Sequence, residues 1–265
     1  MNTNKNSYIF IYASVMVIIV AFLLAFVSSA LKPIQQKNVE LDKKKQVLAA
    51  LNIFEKDAEA AYNTYVKADQ LLKADGTVAA ENGGFAVENA AVSADNLPLY
   101  VCEVEGETKY VLPLYGAGLW GPIWGYVALN ADKETIYGVY FSHAGETPGL
   151  GAEITNRDKF QVPFIGKKAL NAAGDVVISV VKNGKVQNAE CEVDGISGGT
   201  ITSNGVDAML KNSIGLYKAF LTQKCEKACA AEAECSKNSE CSEQAKECGA
   251  CPNSVPAAKI EVVNQ

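Results

Sequence analysis

The stretch LYVCEVEGETKYVLPL, residues 99–114, determines the fold class, because it contains two short apolar segments around a polar turn. Leu99–Val104 and Lys109–Leu114 have the composition of strands, and the intervening EGET has that of a tight turn. A second stretch, WGYVALNADKETIYGVYFS, has the same form, with strands expected at Trp124–Leu129 and Thr135–Ser142. Two successive hairpins predict an antiparallel sheet.

The chain that follows these hairpins is expected to add a third hairpin and a helix. Val176–Val181 and Lys185–Glu190 flank Asn183-Gly184, a pair typical of two-residue hairpin turns. Ser203 is expected to cap the start of a helix. The apolar face of that helix is expected to consist of Val206, Met209, Leu210, Ile214, Tyr217, Phe220 and Leu221.

The amino-terminal segment from Asn6 to Leu31 contains no charged residue. A helix of about 25 residues is roughly 37 Å long, which exceeds the hydrocarbon core of about 30 Å in a bilayer. The small residues Ser28-Ser29-Ala30 suggest a cleaved signal peptide as the alternative, but the apolar core of a signal peptide has only about 7–15 residues. We therefore expect a retained, single-pass transmembrane helix.

The remaining segments complete the predicted organisation. Residues 38–72 have apolar residues at helical spacing and predict a helix that begins as a stalk, whereas residues 73–97 predict an irregular segment. The fold class is α+β, with one N-terminal transmembrane helix followed by an extramembrane domain of antiparallel sheet and flanking helices. The expected parts are a transmembrane anchor (1–32), a helical stalk and domain entry (33–72), a globular domain (73–222) and a Cys-rich tail (223–265).

The composition argues against several classes of function. The net charge is −6 with a single Arg, so nucleic acid is not an expected partner. A single His, His143, argues against a site that needs several imidazoles. The segment GAGLWG, residues 116–121, matches the dinucleotide-binding pattern in form, but Pro122 and an expected strand follow it instead of a helix. NAD binding by this chain is therefore not expected.

Two glycine-rich segments are candidates for a ligand site. HAGETPGLGAE, residues 143–153, is either a tight turn or a loop whose backbone approaches a planar ligand closely, which Gly permits. DGISGGTITSNG, residues 194–205, is either a glycine-rich approach to a helix or an attachment site. Thr200 lies just before the expected helix, whose amides and dipole would stabilise a phosphate on its hydroxyl. Composition alone leaves both interpretations open for residues 143–153 and favours the approach to a helix for residues 194–205.

The segment from Asp194 to Thr200 resembles the flavinylation motif of FMN-binding domains, which has Asp, two variable residues, Ser or Thr, Gly, Ala, and a final Thr or Ser. Gly199 stands where Ala is usual, and it also permits close backbone approach. Over about residues 8–221, the chain resembles the C subunits of Na+-translocating NADH:quinone reductases. The matching segments are Leu41-Asp42-Lys43, Val111-Leu112-Pro113, Gly118-Leu119-Trp120, Gly145–Gly151, Gly166-Lys167-Lys168 and Ser203–Val206.

This resemblance implies that residues 73–222 form a covalent FMN-binding domain, with FMN joined to Thr200 through a phosphodiester by a separate flavin transferase. The implied function is electron transfer among the other subunits of the reductase, without substrate turnover by this chain alone. Asp194, Ser197, Gly198 and Gly199 are the remaining residues of the attachment motif. The candidates to flank the flavin ring, by motif alone, are Glu146, Thr147, Leu150 and Trp120.

The resemblance also places the protein in the inner (cytoplasmic) membrane, with the flavin domain on the periplasmic side. The charges near the anchor indicate the opposite orientation, since Lys5 precedes it and Lys32, Lys37 and residues 43–45, all Lys, follow it. We follow the family, because large domains can be translocated regardless of flanking charge.

Three alternative functions stay open at this point. One is the G-type flavin subunit of an Rnf-type, ferredoxin-linked complex, which has the same attachment chemistry. Another is a membrane-tethered binding module in which Thr200 is unmodified. The third is a flavoenzyme that acts on a soluble substrate and needs an open substrate pocket.

The tail lies beyond the part that resembles the family and has too few apolar residues for a core of its own. We favour disulfides, because short segments outside the cytoplasm commonly need such cross-links. Metal or cluster binding, suggested by the C-x-x-C pair at Cys248 and Cys251, and reduced thiols are the alternatives. The six cysteines are Cys225, Cys229, Cys235, Cys241, Cys248 and Cys251.

Overall fold

A six-stranded antiparallel sheet forms the centre of the protein, whose computed structural model describes residues 6–223. Helices lie on both of its faces, so the predicted α+β architecture with an N-terminal apolar helix is confirmed. The Cys-rich tail, with the prediction made for it, lies outside the described residues. The elements are α1 Asn6–Ala50, α2 Ala58–Tyr65, β1 Val66–Leu72, β2 Val78–Ala80, β3 Leu97–Val104, β4 Glu107–Ala117, β5 Pro122–Leu129, β6 Ile136–His143, β7 Ser179–Val181, β8 Glu192–Asp194, α3 Thr200–Leu216 and α4 Lys218–Thr222.

The two hairpins predicted first are both present. The strand order in the sheet is β2-β1-β3-β4-β5-β6, so β3 pairs with β4 and β5 pairs with β6. The β3–β4 turn consists of Glu105 and Gly106, whose φ angles of 54° and 80° suit the right-handed twist of a two-residue hairpin. The GAGLWG segment continues β4 into the turn before β5, as the strand prediction requires.

The sheet separates two apolar cores, because successive side chains of a strand point to opposite faces. On β4, Leu112 and Leu114 belong to the core that contains Val206 of α3. The neighbouring Val111 belongs to the core that contains Leu48 at the end of α1. Both faces of the central strands are therefore covered by helices.

The helix α1 has 45 residues and is about 67 Å long at roughly 1.5 Å per residue. Its residues 9–40 are exposed, and burial begins near Val47, where the helix meets β5 and β6. Within residues 6–223, this is the one helix whose length and apolar composition allow it to cross a membrane. The same helix thus continues from the apolar segment into the core of the domain.

The prediction of one helix over residues 38–72 is wrong beyond Ala50. The chain turns at Asn52, which has a φ of 59°, and Asp57 then caps the separate helix α2 by accepting from two backbone N–H groups. Residues 66–72 are not helical but form β1, which pairs with β3 from Val66 to Leu72. Pairing with a neighbouring strand outweighs the local helix preference of these residues.

Residues 73–97 are mostly irregular, as predicted, and include the short strand β2. Lys43 of α1 fastens this segment by donating hydrogen bonds to the carbonyls of Phe85 and Val87. Burial lowers the pKa of this amine to about 8, and the nearby carboxylates of Glu88 and Asp69 oppose the shift. The lysine therefore links the end of α1 to a part of the domain that has little regular structure.

The predicted hairpin at Asn183-Gly184 is also wrong. Gly184 has a φ of 72° and forms a turn, but the strand that pairs with β7 is β8, and the two strands are parallel. The turn is held by β8 instead: Gly184 N–H donates to Asp194 at 2.7 Å, and the Asn183 amide donates to the Gly195 carbonyl at 3.0 Å. Residues 185–191 form a loop instead of a strand, and the backbone N–H groups of Gln187 and Asn188 in this loop donate to the Glu192 carboxylate.

Replacing Gly205 by Ala is expected to destabilise the protein although Ala is the better helix former. A Cβ at this position of α3 would collide with the Ala117 carbonyl, and such overpacking costs about 1–3 kcal/mol. At Gly215 of the same helix, no atom lies within 4 Å of the Cβ position, so Ala there stabilises by up to about 1 kcal/mol. Thermal unfolding of the full chain, followed by circular dichroism, compares the two variants. Equal effects would contradict the close packing of α3.

Candidate functional site

The helix α3 begins within the glycine-rich segment, and its start differs from the prediction. Gly199, not Ser203, is the N-cap, because the Gly199 carbonyl accepts the first helical hydrogen bond at 2.9 Å. Ser203 lies inside the first turn, where its buried hydroxyl donates to the Gly199 carbonyl and accepts from Ile196 N–H. The Ser203 hydroxyl therefore holds the loop before the helix and does not cap the helix. Gly198 has a φ of 78°, which Gly adopts without strain.

The four hydroxyl residues near this helix start have different surroundings. The Ser203 hydroxyl is hydrogen-bonded to the loop before the helix. Thr202 is buried and donates to Glu146 at 2.7 Å. Thr200 is exposed at the first position of the helix. Within residues 6–223, no hydrogen bond engages the Thr200 hydroxyl. Ser197 is also exposed, but it does not line the cleft described next.

A cleft of about 250 Å³ lies between the start of α3 and the loop that follows β6. It brings together residues about 50 positions apart in the chain, so both glycine-rich segments contribute to one site. Glycines and exposed apolar side chains form much of its wall, and two exposed lining residues, Thr147 and Thr200, carry hydroxyls. The lining residues are Leu119, Glu146, Thr147, Leu150, Gly151, Gly198, Gly199, Thr200, Ile201 and Thr202.

Glu146 is the buried carboxylate of this cleft, with 5% of its surface exposed. Its Oε1 accepts from Trp120 N–H at 2.9 Å, and its Oε2 accepts from the Thr202 hydroxyl at 2.7 Å. Burial favours the neutral acid, but these hydrogen bonds, one from Leu119 N–H and, as the smallest contribution, the nearby His143 ring outweigh it, so the pKa of Glu146 is lowered. The carboxylate therefore joins the β4–β5 turn, its own loop and α3.

Three of the residues that the motif singled out do not line the cleft. The Trp120 side chain is 70% exposed and contributes its backbone N–H, not its indole, to the site. Asp194 accepts from Gly184 N–H and so holds the turn after β7. Ser197 is exposed on the loop before the helix. Glu146, Thr147, Leu150, Gly198, Gly199 and Thr200 do line the cleft.

Four lining residues were not among the candidates, namely Leu119, Gly151, Ile201 and Thr202. Three of them are immediate neighbours of candidate residues in the sequence, and Thr202 is two positions after Thr200. The sequence contains no sign that Thr202 is buried against Glu146, because these residues are 56 positions apart. The signal for Ile201 is its position directly after Thr200 in the sequence.

The residues of the cleft fit a phosphate-linked flavin. The first N–H groups of a helix lack helical acceptors and carry partial positive charge, which suits a phosphate on the Thr200 hydroxyl. Gly198 leaves exposed backbone beside it, and Leu150 and Ile201 offer exposed apolar surface for a ring. The FMN cofactor would therefore be held by Thr200 at one end and by apolar contacts at the other.

Comparisons with known proteins point the same way. Residues 118–215 match the family described as FMN-binding domain. The chain is 32% identical over 231 residues to the C subunit of the Na(+)-translocating NADH-quinone reductase of Haemophilus ducreyi, covering 76% of this chain and 89% of that protein. It is 34% identical over 211 residues to the C subunit of the Pasteurella multocida reductase, covering 70% and 80%. The crystal structure of the C subunit from Parabacteroides distasonis superposes with a TM-score of 0.69 at 44% identity, covering 73% of this chain and 98% of that chain.

Glu146→Gln is expected to make the stability of the protein less dependent on pH in acid. Because the folded-state pKa of Glu146 is lowered, its stabilising contribution is complete above the unfolded-state pKa of about 4.3 and is lost as pH falls through the folded-state pKa. At pH 7 the variant should lose about 1–2 kcal/mol, because neutral hydrogen bonds replace charge-assisted ones. Denaturant unfolding at pH 7 and at steps below pH 4.5 measures the difference.

The control for this measurement is Glu103→Gln, which removes an exposed carboxylate whose ion pair with Lys67 is 3.8 Å long. That variant should follow the wild type at every pH, because exposed ion pairs contribute little. A gap between wild type and Glu146→Gln that stays constant down to acid pH would contradict the lowered pKa.

Proposed function

The chain belongs to the family of C subunits of Na+-translocating NADH-quinone reductases, and from that premise we propose that its FMN is joined covalently to Thr200 through a phosphodiester. We further propose that the chain works as an electron-transfer subunit of such a complex. Its partners are then the other subunits and, during maturation, a flavin transferase. Residues 118–215 match the FMN-binding domain family, which supports FMN as the cofactor.

The exposure of the Thr200 hydroxyl is the observation that carries the proposal. An attachment site must present its oxygen to a second enzyme, and Thr200 does so at the edge of the cleft. Thr202 and Ser203 are buried and already hydrogen-bonded, so their oxygens are withheld from a transferase. Ser197 is exposed but does not line the cleft, and Thr147 is exposed in the cleft but lies on the loop after β6, not at the start of α3.

The start of α3 supports a phosphodiester in chemical terms. A phosphodiester carries one negative charge at neutral pH, and the unpaired N–H groups of a 17-residue helix stabilise it there. Asp194 does not compete for that position, because its carboxylate accepts from Gly184 N–H in the turn after β7. We assign Asp194 to the shape of the loop that the transferase recognises.

The bound FMN supplies one- and two-electron chemistry, while the protein supplies position and electrostatics. Leu119, Leu150 and Ile201 leave apolar surface exposed around the cleft, so the ring of an attached flavin stays accessible to a partner protein of the complex. A covalent link prevents loss of the cofactor during repeated electron transfer. An electron-transfer subunit of this kind needs no substrate pocket of its own, because it passes electrons from one protein to another.

The anchor and its orientation are parts of the same proposal. We propose that α1 crosses the inner membrane once and that the flavin domain lies on the periplasmic side. The length and apolar composition of α1 support the first statement. The family supports the second, against the Lys residues that follow the apolar segment.

Thr200→Val is expected to abolish flavin attachment without unfolding the domain, because Val keeps the shape of Thr but lacks the oxygen. The full chain is expressed with a flavin transferase, denatured and viewed in a gel under ultraviolet light. Wild type and the control Thr200→Ser should fluoresce, since Ser keeps a hydroxyl, and Thr200→Val should be dark. Fluorescence that persists in Thr200→Val would show that the flavin is attached elsewhere. A dark wild type with unmodified mass would favour an unflavinylated binding module.

A reporter fused after residue 265 tests the orientation. A reporter active only in the oxidising compartment should be active in this fusion, and one active only in the cytoplasm should be silent. The reverse result would show that the Lys residues after the apolar segment, not the family, predict the orientation.

A further inference from the structure

Glu146 places a carboxylate charge in the flavin cleft. Within residues 6–223, no Lys or Arg forms an ion pair with it. Its two oxygens are held by Trp120 N–H and by the Thr202 hydroxyl, and its backbone N–H donates to a ring nitrogen of His143. Hydrogen bonds to neutral groups stabilise a carboxylate but leave its net charge in place.

The geometry also fixes this charge relative to Thr200. The Cβ positions of Gly118 and Gly151 are already filled by Glu146 oxygens, so the carboxylate is enclosed by backbone on two sides. Thr202, which donates to it, is two residues from Thr200 on the same helical turn. Movement of the carboxylate away from the attachment site would break contacts with three segments at once.

We propose that the fixed negative charge of Glu146 lowers the reduction potential of the flavin held in this cleft. Each electron that enters a flavin from its donor adds negative charge unless a proton from solvent follows it. A nearby carboxylate therefore disfavours the reduced form, and more strongly in a partly buried site than in water. The inference rests on the proposed attachment of FMN to Thr200 and adds a role for a residue that is not itself the attachment point.

Glutamine separates the charge of Glu146 from its shape. A Gln side chain can accept from Trp120 N–H through its carbonyl oxygen and donate its amide to the Thr202 oxygen, which is able to accept as well as donate. Glu146→Gln thus preserves both ties and removes the charge, whereas Glu146→Ala removes ties and charge together. Glu153→Gln removes a carboxylate that lies on the next turn and does not line the cleft.

The experiment is a spectroelectrochemical titration of the full chain after flavin attachment, at one pH and one salt concentration. In-gel fluorescence is read first, so that every titrated sample is known to carry flavin. The midpoint potential should rise in Glu146→Gln and in Glu146→Ala, and it should be unchanged in Glu153→Gln. An unchanged potential in flavinylated Glu146→Gln would overturn the inference.

Thr202→Val provides a second test that does not depend on the folding of the Gln variant. It removes one hydrogen bond from the carboxylate but keeps the charge, so the midpoint potential should not rise. A rise as large as that of Glu146→Ala would overturn the inference and assign the effect to geometry. A wild-type chain that takes up no flavin would overturn the proposed function instead, and the fluorescence reading distinguishes that failure.

Discussion

The close contact between α3 and the end of β4 positions the three segments that form the cleft. A side chain at Gly205 would collide with the Ala117 carbonyl, and one at Gly116 would collide with Met209. Since neither glycine carries one, the helix lies directly on the sheet, and its first turn reaches the β4–β5 turn and the loop after β6. The cleft exists because these three pieces of backbone meet there. A looser contact would separate Thr202 from Glu146.

The two faces of the sheet divide the work of the protein. The end of α1 packs against one face, and α3 packs against the other with the apolar core beneath it. The apolar helix that we propose to cross the membrane thus packs into the core on one face of the sheet. The cleft is formed by α3 and two loops on the other face. No residue of α1 lines the cleft, as the proposed presentation of FMN to other proteins of a complex requires.

Some features of the fold follow from local sequence and others do not. The β3–β4 hairpin is predictable because alternating apolar residues and a Glu-Gly turn favour it locally. Residues 66–72 and the Asn183-Gly184 segment are not, because their partners, β3 and β8, lie at a distance in the chain and override the local preference. Tertiary contacts also override a local preference at Ser203. Its side chain favours a capping position, but it lies inside the helix and holds the preceding loop.

The sequence by itself determined the fold class of the protein and predicted Thr200 as the residue that holds a flavin. Both depend on local patterns: an uncharged apolar segment, alternating strands, and the motif that ends at Thr200. Only the tertiary structure decided which hydroxyls stay available and which neighbours they have. Three neighbouring residues, Thr200, Thr202 and Ser203, all carry hydroxyls. Those of Thr202 and Ser203 are buried and donate to Glu146 and to the Gly199 carbonyl, so they are not available for attachment. The exposure of each hydroxyl depends on how segments about 50 residues apart pack together, and a local sequence pattern does not contain that information.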